Sequence, residues 1–139
     1  MWNELSAAII AKVKTSSEVA SAAVLDYAQS KMTHYPTITV TPFDNNEAFF
    51  ADTNRNQRTY NFAIRVYQER ADQGEEESER IMRTIVDDLI RIFDADVYLN
   101  DTLAGRGYQK PIPSRWSFVQ AELTNTRMAE IIISCVVIQ

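Results

Sequence analysis

Arg58-Thr59-Tyr60-Asn61-Phe62-Ala63-Ile64-Arg65-Val66-Tyr67-Gln68 sets Tyr60, Phe62, Ile64 and Val66 on one side of a two-residue repeat and Thr59, Asn61, Ala63 and Arg65 on the other. That alternation in β-branched and aromatic residues predicts a strand with one face in a core and the other toward solvent or a neighbour. Immediately downstream the period changes. Asp72 followed three residues later by Glu75 resembles a capping box. Ile81, Met82, Ile85, Val86, Leu89, Ile90, Ile92 and Phe93 then recur at helical spacing, which predicts a helix of about 20 residues, roughly 30 Å long, ending at Phe93. Glu76 and Arg80, Glu79 and Arg83, and Asp87 and Arg91 are acid-first pairs at i,i+4, each expected to add ~0.2 to 0.5 kcal/mol and to solvate the outer face.

Toward the C-terminus, residues 94 to 115 contain Gly105, Gly107, Pro111 and Pro113. They read as a connection of about 20 residues, longer than compact domains usually carry, and such loops tend to be functional or ordered by a partner. Arg115 to Leu123 and Met128 to Ile138 read as an antiparallel hairpin turning at Thr124-Asn125-Thr126-Arg127. The second strand loads both faces with Ile131, Ile132, Ile133, Val136, Val137 and Ile138, so it is expected to be central or covered on both sides.

Toward the N-terminus, Thr53 to Gln57 read as a polar loop, Ala48 to Asp52 as a short strand and Asp44-Asn45-Asn46 as a turn. Pro36 to Phe43 reads as a half-buried strand, with Ile38 and Val40 alternating against threonines; the flanking prolines predict an edge or a strand end. Val19 to Lys31 fits either a short strand or a second helical segment. Leu5, Ala8, Ile9, Lys12 and Val13 mark an amphipathic helix from about Asn3 to Thr15, with Trp2 as its anchor. The whole chain, residues 1–139, reads as a single α+β domain: a mostly antiparallel sheet with an N-terminal helix and one long central helix packed on it.

Composition narrows the function. Fourteen basic against nineteen acidic residues give a net charge of −5, which argues against a clamp that holds nucleic acid by its phosphates. The charge is concentrated: Glu69 to Asp96 hold ten acids against four arginines, a local net of −6, which leaves the remainder at +1. A single cysteine forms no internal disulfide, so a reducing compartment is the default. Met1-Trp2-Asn3-Glu4 has no basic region ahead of an apolar run, and no stretch approaches 18 apolar residues; neither a signal peptide nor a membrane span is expected.

The catalytic inventory is thin. His34, the sole histidine, lies in a turn before a strand, and no nucleophile elbow accompanies it; Cys135 sits in an apolar strand and reads as a small core residue. Asp94, Asp96 and Asp101 lack calcium-loop spacing, and no His/Cys cluster suits zinc. Gly105-Arg106-Gly107 lacks the strand-before, helix-after context of a phosphate loop. Adjacent Asp87 and Asp88 point about 100° apart on a helix and are not placed to share a proton. No enzyme, cofactor or metal site is therefore expected. What stands out is aromatic and basic: Tyr60, Phe62 and Tyr67, Phe49-Phe50, and Arg55, Arg58 and Arg65 fall around one loop and strand, and Tyr and Arg are favoured at interface hot spots. The alternative is a core face backed by a charged outer face.

Several segments together resemble the tail-terminator, or tail-completion, proteins of long-tailed bacteriophages. They are the helix Trp2 to Lys14, the run Tyr35-Pro36-Thr37-Ile38-Thr39-Val40-Thr41-Pro42, Phe49 to Thr53 followed by Asn56 to Val66, the glutamate-led helix with Val86-Asp87-Asp88-Leu89, and the closing strand pair. The match lies in order, spacing and size. It implies a subunit that assembles in the host cytoplasm as a ring, typically hexameric, on the head-proximal end of the virion tail. There it would end tube polymerisation and meet both the tail-tube protein and the head connector. Other phage neck or head-closure connectors share much of the pattern, and a small non-viral protein-binding adaptor is the reading from a different class. Candidate interface residues are Phe49, Phe50, Arg55, Arg58, Tyr67, Arg106, Tyr108 and Lys110. In a ring, DNA passes through the bore without specific binding, and Glu75, Glu76, Glu77 and Glu79 would suit a wall that repels phosphates. Helix-dipole complementation and solubility account for the same acids.

Overall fold

A computed structural model describes residues 1–28, 34–45, 49–52, 55–69, 75–118 and 126–138. Helix α1 spans Trp2–Val13 and a single 3₁₀ turn spans Ser17–Val19; strands β1 (Ala23–Leu25), β2 (Thr37–Asn45), β3 (Phe49–Asp52) and β4 (Arg55–Glu69) follow. Helix α2 (Glu75–Asp94), β5 (Gly107–Phe118) and β6 (Thr126–Ile138) complete the order. The sheet runs β1-β2-β4-β6-β5, with β3 paired to β4. The architecture is α+β, but the sheet is mixed rather than mostly antiparallel: β1 lies parallel to β2, Ala23 opposite Thr37 and Leu25 opposite Thr39. Three residues carry too little periodicity to announce a strand.

The alternation in β4 is realised across three strands. Tyr60, Phe62, Ile64 and Val66 stand opposite Cys135, Ile133, Ile131 and Ala129 of β6, and all of these are buried. Leu5, Ile9 and Val13 of α1 and Met82, Ile85, Val86, Leu89 and Phe93 of α2 close the same cluster, so both helices cover one sheet face. Burying such side chains supplies about 25 cal/mol per Å² of apolar surface. Trp2 meets Tyr60 and Phe62 edge-on, with ring centroids 4.8 and 5.1 Å apart. The opposite face holds Thr39, Asn61, Ala63, Arg65, Glu130 and Ser134. There Arg65 Nε donates to Glu130 Oε2 at 2.8 Å and Ser134 Oγ donates to Asn61 Oδ1 at 2.7 Å. Glu130 is only 2% exposed, and Arg65 faces it as a paired cation. β6 lies between β4 and β5, as its two loaded faces require.

Three expectations are corrected. Of the polar loop read at Thr53 to Gln57, Arg55 to Gln57 instead belong to β4 and pair with β3, while residues 53–54 lie outside the described residues. The connection of residues 94 to 115 ends at Arg106, because Gly107 to Phe118 form β5. Prolines 111 and 113 concealed this strand, yet β5 is an edge strand pairing only β6, where a missing amide is tolerated. The α2 ion pairs also use a different spacing: Arg80 pairs with Glu77 and Arg91 with Asp88, three residues back rather than four, and Arg127 of β6 approaches Glu79 at 3.6 Å. The capping box at Asp72 and the hairpin turn at 124 to 127 lie wholly or partly outside the described residues; Thr126 and Arg127 belong to β6.

Candidate assembly surface

The segment between α2 and β5 is a tightly tied loop. Asp96 organises it: its carboxylate accepts from Lys12 Nζ at 2.9 Å, from the Asn100 amide at 2.7 Å and from the Tyr98 amide at 3.3 Å. Burial acts to raise the Asp96 pKa, but those donors outweigh it and hold the carboxyl below its ordinary value. Leu99, Asn100 and Asp101 then run in the left-handed region, with φ of 51°, 53° and 67°. Asn and Asp tolerate that conformation, whereas Leu99 adopts it at a cost of about 1 to 2 kcal/mol. Its buried side chain, together with Leu103, pins the loop to the core and offsets the cost. Gly105 supplies the final left-handed residue at φ 76°.

Arg106 closes the loop. Its Nε donates to the Thr102 carbonyl at 2.9 Å and its guanidinium pairs with the Glu4 carboxylate of α1. Gln109 Nε2 reaches the carbonyls of Phe93 at 2.5 Å and Asp96 at 2.9 Å. At Gly107 an added Cβ would lie 2.1 Å from the Val136 carbonyl oxygen, so the β5 backbone approaches β6 where no side chain fits.

These ties create an open groove of about 530 Å³, lined by Val97, Tyr98, Arg106, Tyr108 and Ile138 among others. Two of the sequence candidates, Arg106 and Tyr108, meet here; Val97, Tyr98 and Ile138 join them unanticipated. Arg106 is committed to Glu4 rather than free, so the surface offered to a partner is mainly apolar and aromatic. The other candidates lie elsewhere. Arg58 and Tyr67 are half-buried on β4; Phe49 and Phe50 belong to β3, Arg55 to the start of β4 and Lys110 to β5. Tyr60 and Phe62, part of the aromatic cluster, are core residues under Trp2. The missed residues left little signal: Val97-Tyr98 sat within an acidic turn, and Ile138 closed a run that read as core.

The amide donors on the outer edge of β5 can be followed one by one. The Arg106 carbonyl accepts from the Ile138 amide, so even-numbered positions pair with β6 and odd-numbered amides point outward. Gly107 donates to the Leu103 carbonyl at 2.9 Å and Gln109 to the Val97 carbonyl at 2.8 Å. Position 111 is proline, and so is 113, within the register shift between Ile112 and Arg115. From 107 to 113 that edge therefore presents no free donor to an added strand.

The acidic block is partly neutralised. Glu76 is exposed, while Glu77 and Glu79 are half-buried and committed to Arg80 and Arg127; Glu75 opens α2. His34 Nε2 donates to the Ser21 carbonyl at 2.8 Å, a turn contact. Burial pushes the Cys135 thiol up to about 12. Asp88 accepts from Ser16 Oγ and from Arg91, which together hold its pKa below the ordinary value against partial burial. Its neighbour Asp87 is exposed. No group of three or more potential metal ligands occurs among the described residues, and no helix there is long and apolar enough to cross a membrane.

No protein-family model matches the sequence, and no curated protein matches it. Among solved structures, a chain described as "Virion of native gene transfer agent (GTA) particle" superposes with a TM-score of 0.67. It is 19% identical, and the match covers 97% of this chain and 95% of that one. The likeness therefore shows a shared fold over nearly the whole of both chains.

Proposed function

We propose that the chain is a structural subunit of a phage-like virion, one that caps the head-proximal end of the tail tube as a ring. In that role it ends tube polymerisation and forms the tail side of the head-tail joint. The observation that carries this reading is the end-to-end likeness to a chain of a gene transfer agent virion, since subunits of one assembly fold are matched whole rather than in part. The resemblance of the sequence to tail terminators points the same way and supplies the hexameric number and the partners: a tail-tube protein and a neck connector. The role calls for no catalytic group and no cofactor. It also calls for a bore that passes DNA without gripping it, which a net charge of −5 favours. Glu76, with Glu75, Glu77 and Glu79 beside it, is the proposed bore-facing segment, although pairing with Arg80 and Arg127 reduces the field those glutamates exert.

Electron microscopy of tail tubes tests this directly. Tubes polymerised from a tail-tube protein of the same phage-like particle, once one is identified, are mixed with the purified subunit while still growing. Added density at one end and arrested elongation are expected. A chain that ignores tubes but binds the head connector would be a neck protein instead, and a chain that binds neither would remove the virion role.

A further inference from the structure

Two different devices close the outer edge of β5. Proline at position 111 removes a donor permanently. Gly107 and Gln109 keep theirs, and one segment of the same chain occupies both: the Leu103 carbonyl accepts from the Gly107 amide at 2.9 Å and the Val97 carbonyl from the Gln109 amide at 2.8 Å. Residues 96–106 therefore lie where an added strand would lie. Leu99, Asn100 and Asp101 hold left-handed backbone there, a conformation that L-residues keep only when their surroundings impose it. On the inside the imposing contacts are the buried side chains of Leu99 and Leu103. On the outside they are two ion pairs to α1, Lys12 with Asp96 and Arg106 with Glu4. Both pairs reach solvent: Arg106 and Glu4 are 38% and 49% exposed, Lys12 and Asp96 14% and 22%. Dissolved salt accordingly weakens them.

We propose that residues 96–106 form a releasable strap, and that its ionic clasp to α1 controls whether the β5 edge at Gly107 and Gln109 is closed or open to pairing with another extended backbone. This inference is independent of the tail reading. With the strap closed, the edge offers no donor at 107 or 109. With it lifted, two outward amides spaced two residues apart become available, the spacing at which a neighbouring strand accepts. Proline at 111 limits the opened edge to that short stretch. β5 itself stays in place, because the Gln109 side chain also donates to the Phe93 carbonyl at the end of α2, outside the strap. The strap further carries Val97, Tyr98, Gly105 and Arg106, which line the apolar groove, so the groove and the open edge are alternative states of one surface. Lifting unseats Leu99 and Leu103, which makes the open state a minor one. Its population is nevertheless set locally, and local openings of that kind are what amide exchange reads.

Residue-resolved hydrogen exchange by NMR tests the strap. The unaltered chain is followed from about 0.05 M to about 1 M sodium chloride, a range over which screening shortens from well beyond a contact distance to about 3 Å. A Glu4→Gln, Lys12→Met variant removes the clasp from the α1 side and leaves the apolar stripe of that helix intact. Expected are slow exchange at Gly107 and Gln109 in low salt and exchange about three- to tenfold faster in high salt, the scale of losing two part-exposed ion pairs. The variant should exchange at the faster rate in low salt and no longer respond to salt. If the variant misfolds by circular dichroism, the salt series on the unaltered chain decides alone. Exchange at the two positions that ignores salt overturns the ionic clasp. Fast exchange there in the unaltered chain at low salt overturns the strap as a cap, and a rise shared equally by the core amides of β4 overturns local release.

Discussion

Trp2 stands edge-on to Tyr60, ring centroids 4.8 Å apart and planes at 84°, and through that contact the first turn of α1 is fixed to the middle strand of the sheet. The relationship decides between two roles for the tryptophan, a subunit contact or an internal staple. Trp2→Ala is expected to lower the unfolding free energy by about 2 to 4 kcal/mol, near the range for truncating a packed aromatic residue. The oligomer mass at matched folded fraction should not change. Denaturant titration with native mass spectrometry checks both, and a variant of wild-type stability with a lost oligomer would assign Trp2 to the subunit contact after all.

Gly107 is required by space rather than by conformation. A methyl group there would collide with the Val136 carbonyl, which is backbone and cannot swing aside. Gly107→Ala should cost about 1 to 3 kcal/mol, as overpacking generally does. Gly105→Ala, with open space around its Cβ position but φ of 76°, should cost only about 1 kcal/mol. Thermal unfolding of the pair would show the order, and equal losses would contradict the close approach of β5 to β6.

Asp88 and Asp96 tie stability to pH with a definite sign. Both have folded-state values depressed below the ordinary carboxylate value, Asp88 chiefly by the Ser16 hydroxyl and then by Arg91. At Asp96, burial is the largest influence and opposes the shift, but Lys12 and the Asn100 and Tyr98 amides overcome it. A depressed carboxylate contributes fully above its unfolded value near ~3.9 and loses that contribution as pH falls through its folded value. The Asp88→Asn, Asp96→Asn chain should therefore be less stable than wild type at neutral pH and converge toward it in acid. Urea midpoints measured from about pH 7 down to about pH 3 would reveal the convergence; curves that stay parallel would refute the linkage.

Pro111 and Pro113 make a prediction about solubility. Replacing both with threonine restores backbone amides to an edge strand whose outward donors at Gly107 and Gln109 are already used. The variant should retain the fold and gain slow, sheet-rich association at high concentration, read by light scattering and thioflavin fluorescence. No change in either signal would mean that the edge is guarded by something other than its lost donors.

Legibility followed periodicity. Tyr60 to Val66, the α2 stripe and the doubly apolar β6 could be read because each is long enough for its period to repeat. Helix α1 was readable to within two residues at each end. β1 was not readable beyond one of two open alternatives, since Ala23-Val24-Leu25 is fixed as a strand only beside Thr37 to Thr39. Nor was β5, whose prolines mark a loop unless it is known that their side of the strand is unpaired. The ion pairs followed the same logic: Arg91 chose Asp88, which Ser16 already orients, over Asp87, and no spacing rule contains that third residue. Among the candidate interface residues, Arg106 and Tyr108 were reachable as members of a conspicuous connection. Their companions Val97, Tyr98 and Ile138 were not, because a surface patch is assembled from three separate segments and leaves no local pattern.

The contacts that hold α1 also set an order in time. Glu4 waits for Arg106, 102 residues away, and Lys12 for Asp96, 84 residues away. On a growing chain the amphipathic helix emerges long before the loop that clasps it, so its polar flank stays unclasped after its apolar stripe has met β2, β4 and α2. Closing that clasp is thus a late event, governed by long-range loop closure rather than by local helix propensity.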